Sequence, residues 1–189
     1  MEDPTLKNPV KIGTLRVRCP LCGSPELEVT DYLYEVPGLG HVLITVGTCP
    51  RCGYSFRDVR SLEGGEPRRI VFRVESEEDI NVMVLKSSKA SIILEEMGAS
   101  MDPGPASESF ITTVEGIIDR FLEALSVACR SRESDKACRE AREKLEAMKS
   151  AKTPFTLVVI DPEGASIVSS PKARYEPLQR RDDTGEGGG

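Results

Sequence analysis

A mainly β protein with an inserted helical hairpin, led by a small four-cysteine ribbon, is the fold class that three features of this 189-residue sequence predict. The first is a five-residue phrase written twice, CPLCG at 19–23 and CPRCG at 49–53. The second is a succession of short segments rich in β-branched residues, each bounded by turn-forming ones. The third is a change to three- and four-residue apolar spacing near residue 112, followed by a return to strand sequence at 155. With 39% hydrophobic and 30% charged residues, the composition is that of a globular protein. No run approaches the roughly 20 apolar residues of a membrane helix, and MEDPTLKNPVKIG has none of the apolar stretch of a secretory signal. A cytoplasmic location is therefore expected.

Cys19, Cys22, Cys49 and Cys52 form two C-x2-C pairs separated by 26 residues. Two thiolates three residues apart on a tight turn can face one ion, and a second such turn completes a tetrahedral shell. Gly23 and Gly53 let each chain bend so that backbone N–H groups approach the sulfurs, and Pro20 and Pro50 stiffen the entry. The long interval is accounted for by LEVTDYLYEV and HVLITVGT, which read as strands around the turn PGLG. A hairpin between the pairs brings them together, so one structural Zn2+ is expected, in preference to iron, a disulfide or a redox dithiol. Four cysteines close the shell, whereas catalytic zinc keeps an open position. His41, the single histidine, reads as an ordinary strand residue.

Beyond the second pair, YSFRDVRSL, RRIVFRVES, INVMVLKS and ASIILEEM read as short strands, and GASMDPGPASES reads as a loop. Val114, Ile117, Ile118, Phe121 and Leu125 share one helix face. Thr112 and Glu115 have capping-box spacing, which places a helix start there. SRESD interrupts this helix, and KACREAREKLEAMKS reads as a second, more charged one. PFTLVVID and ASIVSS then return to strand, so the hairpin, at about 112–150, is an insertion into a β domain. Cys129 and Cys138 lie near its facing ends, and their spacing leaves both free thiols and a disulfide open. The expected organisation is a flexible N-terminus over 1–11, the ribbon over 12–60, the β domain over 61–170 and a flexible tail over 171–189.

The blocks CPLCG…LITVGTCPRCGYSFRDV, EDINVMVLKSSKASI, ITTVEGIIDRFLEAL and PFTLVVIDPEGASIV resemble, in order, those of the ZPR-type zinc-finger proteins in their single-copy archaeal form. The resemblance spans about residues 12–170. It implies a zinc ribbon followed by a jelly-roll-like double-stranded β-helix domain with an inserted helical hairpin. It also implies a partner, because eukaryotic relatives with two such units in tandem bind the translation GTPase elongation factor one-alpha and assist its folding. With one unit here, a homodimer would have to supply any grip that needs two. Where relatives often carry glycine ahead of the T-T-V-E-G run, this chain has Ser109 before Phe110 and Ile111.

Matching those blocks residue by residue selects Asp79, Asn81, Lys86, Ser87, Thr112, Thr113, Glu115 and Gly116 as partner-binding candidates. Local architecture is the competing role: a turn around Asp79 and Asn81, a helix cap at Thr112 and Glu115, and close packing at Gly116. Tyr54 and Phe56 are expected to pack between the ribbon and the β domain, with an exposed aromatic contact as the alternative. A nucleic-acid-binding ribbon is the second functional class. The net charge of −6 argues against it, as does the balance of five cations against five anions between Leu15 and Arg60. Catalysis is not expected, because one histidine cannot furnish a metal site inside a barrel, and phosphate-binding glycine loops and nucleophile elbows are missing from the sequence.

Overall fold

A computed structural model describes residues 9–105, 107–130 and 136–178. Strands β1 (Val10–Val17), β2 (Leu27–Val36), β3 (Gly40–Thr48) and β4 (Ser55–Ser61) form one antiparallel sheet in chain order. The hairpin of β2 and β3 lies between the two cysteine pairs, closed by a turn in which Leu39 N donates to Val36 O. β1 corrects the expected flexible start. It begins at Val10 and runs against β2 from Val10↔Leu33 to Val17↔Leu27, with a bulge between Lys11 and Gly13. Residues 1–8 lie outside the described residues.

The β domain follows with β5 (Arg68–Val74), the short helix α1 (Glu77–Ile80), β6 (Met83–Lys86), β7 (Ser91–Leu94), β8 (Ala99–Met101) and β9 (Phe110–Thr113). Then come α2 (Val114–Ala128), α3 (Lys136–Lys149), β10 (Phe155–Asp161), β11 (Ile167–Val168) and β12 (Arg174–Pro177). Two antiparallel sheets result, β12-β5-β10-β7-β8 and β11-β6-β9. β10 is central because its apolar run pairs on one side with β5 and on the other with β7. Sequence on the far side of the helical hairpin thus completes a sheet begun before it.

The main core gathers Ile70, Phe72 and Val74 from β5, Ile92 and Leu94 from β7 and Phe155, Leu157 and Val159 from β10, with Val84 and Val168 from the smaller sheet. α2 adds Val114, Ile117, Ile118 and Phe121, the face its periodicity predicts, and α3 adds Leu145 and Met148. On the outer face of the larger sheet, Arg69 pairs with Glu95 and Glu176, and Arg73 with Glu96. Their aliphatic stems lie on the face that carries Val71 and Val158, both buried. The ribbon stacks on the smaller sheet through Val36, Leu39, Val42 and Leu85, joined by Ile44, Val59, Met83, Ile111 and Ile167.

Three stretches differ from the sequence expectations. The presumed loop at 98–109 contains β8, and the presumed tail from 171 contains β12, which pairs with β5. α2 is capped by Thr113, whose Oγ1 accepts from Gly116 N, rather than by Thr112, which belongs to β9. The expected helix break at 131–135 and the tail residues 179–189 lie outside the described residues. Among the described residues, no helix is long and apolar enough to cross a membrane.

Candidate metal centre

Each cysteine pair is a knuckle of nearly the same geometry. Gly23 N donates to Cys19 O at 2.9 Å and Gly53 N to Cys49 O at 3.0 Å; Cys19 N donates to Ser24 O at 2.7 Å and Cys49 N to Tyr54 O at 2.8 Å. Gly23 and Gly53 have φ of 72° and 73°, left-handed values that a side chain would strain, which is why both phrases end in glycine. In each knuckle the first cysteine is buried and the second exposed. The four Sγ atoms lie within 4.8 Å of one another, with Cys19–Cys52 and Cys22–Cys49 both at 3.7 Å. A tetrahedron with Zn–S arms of about 2.3 Å has edges of about 3.8 Å, so the donor set fits one zinc ion.

Burial opposes ionisation of Cys19, but backbone N–H groups at Cys22 and Leu21 outweigh it and bring the thiol down to about 7. At Cys52 the backbone N–H of Tyr54 favours the thiolate, yet desolvation and the neighbouring sulfurs push it up to about 12. A divalent cation among the four sulfurs supplies the charge that lets all of them be thiolates. Cys19, Leu27 and Cys49 make a small core with Val29, Tyr54 and Phe56 around it. Tyr54 and Phe56 therefore pack at the metal end of the ribbon, not between ribbon and β domain. Their rings are 6.2 Å apart. His41 sits on β3 with Nδ1 3.9 Å from Glu63 Oε1, and it is not in the cysteine cluster.

The eight candidates drawn from the downstream blocks fall into two groups around α1, β6 and the start of α2. Asp79 is buried and accepts from Glu75 N and from Lys172 Nζ, the latter at 2.8 Å. Burial raises its carboxyl, but the Lys172 ammonium and the backbone donor hold it below its ordinary value. Asn81 is exposed, and its Nδ2 donates to Glu77 O. Lys86 is 2% exposed and donates to Ser87 O, while its ammonium lies 5.6 Å from the Phe110 ring. Burial lowers its pKa and Asp161 opposes that shift. Ser87 Oγ donates to Asp161 Oδ1, and Ser87 N donates to Ser166 Oγ.

Asp161 was not singled out from the sequence, yet it is the hub of this network. It is fully buried and also accepts from Ser166 N at 2.6 Å and Glu163 N at 2.9 Å. Burial raises its carboxyl, and these donors more than offset that, so it stays ionised. In the second group, Glu115 pairs with Lys149 at 3.4 Å, and a Cβ at Gly116 would fall on Thr112 Oγ1, so only glycine allows that approach. Ser109 joins the two parts of the molecule: its Oγ donates to Asp58 Oδ1 on β4 at 2.7 Å and accepts from Ser88 N. Cys129 and Cys138 are disulfide-bonded, with Cα atoms 6.1 Å apart, which resolves the choice their spacing left open.

Residues 78–183 match the family model described as the ZPR1 jelly-roll domain. The chain is 34% identical over 182 residues to a ZPR1-like protein of Pyrococcus horikoshii, covering 92% of this chain and 82% of that one. It is 34% identical over 171 residues to a ZPR1-like protein of Methanocaldococcus jannaschii, covering 88% and 86%. To the zinc finger chaperone zpr1 of Schizosaccharomyces pombe it is 30% identical over 174 residues, covering 86% of this chain but 37% of that protein.

Proposed function

This chain belongs to the ZPR1 zinc-finger family, and from that premise we propose that it is a non-enzymatic, cytoplasmic binding protein for the translation GTPase elongation factor one-alpha, assisting that factor's folding. The observation that carries the non-enzymatic part is the all-sulfur shell. Four ligands at tetrahedral spacing leave no position for a water or substrate, so the ion shapes a surface rather than reacting. The printed name of the fission-yeast relative, a zinc finger chaperone, supports a protein as the partner. The particular GTPase rests on the resemblance described above.

The eight candidate residues take different parts in this reading. Asp79, Lys86 and Ser87 shape the partner surface from within, by holding the loops between α1, β6 and β11. Asn81, Thr112, Thr113, Glu115 and Gly116 lie nearer the surface around the start of α2 and are the positions for direct contact.

The test is calorimetric titration of the zinc-loaded chain with purified elongation factor one-alpha in its GDP and GTP forms, beside a Cys19→Ser/Cys49→Ser variant. Saturable binding that the variant loses, with faster or fuller refolding of the denatured factor, is the expected result. Failure to bind either nucleotide form at micromolar concentration would overturn the proposal. Sedimentation of the zinc-loaded chain alone decides whether a homodimer replaces the tandem units of longer relatives.

A further inference from the structure

The geometry points to the outer edge of β1 as a docking strand for an extended acidic segment of a partner protein, one whose side chains alternate apolar and carboxylate. β1 is the edge of the ribbon sheet, and among the described residues no strand pairs with its outer side. All eight of its residues are exposed, including four large apolar ones: Val10 at 48%, Ile12 at 60%, Leu15 at 51% and Val17 at 38%. Long edge strands that show apolar side chains and unpaired backbone groups are templates for another strand.

The register says which strand fits. Val10, Leu15 and Val17 lie opposite Leu33, Val29 and Leu27 on one face, and Lys11, Thr14 and Arg16 lie opposite Tyr32, Thr30 and Glu28 on the other. The bulge between Lys11 and Gly13 leaves Ile12 without a register partner and brings Val10 onto the face of Leu15 and Val17 across the break in alternation. Strand β1 carries no acidic residue. Arg16 is paired with Glu28 at 2.7 Å, but among the described residues neither Lys11 nor Arg18 has a carboxylate partner, and Arg18 donates to Gly23 O. An incoming strand with apolar residues on the first face and carboxylates on the second satisfies both, since opposed cross-strand charges stabilise and like charges do the reverse.

A second copy of the chain fits less well. A second β1 brings Lys11 and Arg16 again and no carboxylate of its own, so it adds like charge to the paired edge and leaves Lys11 without a counter-charge. The cations and the bulge thus guard the edge against itself while leaving it open to an acidic partner. This surface rests on the reading that the chain binds proteins, and it adds the chemistry of the bound segment.

The test uses the zinc-loaded full chain and a capped octapeptide alternating valine and glutamate, followed by fluorescence anisotropy and by amide exchange of residues 10–17. Saturable binding with slowed exchange in β1 is expected, together with at least tenfold weaker binding of a valine–lysine octapeptide and of the valine–glutamate peptide to Lys11→Glu. Lys11 is exposed, and zinc content of that variant reports that its ribbon is intact. Equal binding by both peptides, an unchanged affinity in Lys11→Glu, protection that falls elsewhere, or no binding at all would overturn the inference. The elongation-factor titration is a separate readout. A complex that forms without peptide binding sinks the edge-strand inference alone, and peptide binding without a complex sinks the functional proposal alone.

Discussion

At its metal end the ribbon buries Cys19, Leu27 and Cys49, whereas the β domain closes 18 buried residues between its two sheets and the helical hairpin. A core as small as the first offers too little apolar area to offset the entropy of ordering four strands. A core like the second is of the kind that sustains a domain unaided. The contrast teaches that the ion is a fold-determining part of the ribbon only. The seam between the two parts is apolar, through Val42 and Leu85, with the Ser109–Asp58 hydrogen bond beside it.

The largest expected effect is therefore confined to the ribbon. Cys49→Ser should abolish stoichiometric zinc and with it most of the roughly 10–16 kcal/mol that a structural zinc contributes. Metal analysis and the collapse of amide dispersion in β1–β4, with β5, β7 and β10 unchanged, would check this. Phe72→Ala is the mirror experiment. A fully buried ring lost from the main core should cost about 3–5 kcal/mol in chemical denaturation, while the ribbon keeps its zinc.

Asp161→Asn should cost about 2–4 kcal/mol, because Lys86 would stay buried without its counter-charge and the loop donors would lose a charged acceptor. Its sign with pH is fixed by the depressed carboxyl. The stabilisation is complete above the ordinary value of 3.8 and is lost as pH falls through the lower folded value, so the wild type alone should show that acid-dependent loss. Replacing Cys129 and Cys138 together by serine should remove about 2–3 kcal/mol, the entropy of a ten-residue loop, seen as faster amide exchange in α2 and α3. Arg16→Ala, which breaks an exposed pair with Glu28, should change stability by less than about 1 kcal/mol.

The metal centre was legible because its chemistry is local: two C-x2-C-G turns dictate their own geometry, and only the hairpin was needed to join them. α2 was legible from its buried face, and its start was misplaced by one residue because Thr112 and Thr113 both carry a hydroxyl. The backbone decided between them, since Thr112 pairs within β9 opposite Val84. β1 was hidden by the bulge that breaks its alternation, and β12 by its brevity and its polar sequence, RYEP, which becomes a strand only against β5. Nothing in the spacing of Lys86, Ser87 and Asp161 announces that a lysine and a carboxylate are buried in one network, because the Ser87–Asp161 hydrogen bond that closes it joins residues 74 apart in the chain. The sequence of Tyr54 and Phe56 predicts burial, but which core they enter depends on the turn back at Cys49.

The central claim is that zinc organises the ribbon and leaves the β domain standing. Amide hydrogen exchange on the native chain, before and after removal of zinc by a chelator, tests it most directly. β1–β4 should lose protection together while β5, β7 and β10 retain theirs. Equal loss across both parts, or unchanged protection in the ribbon, would contradict it.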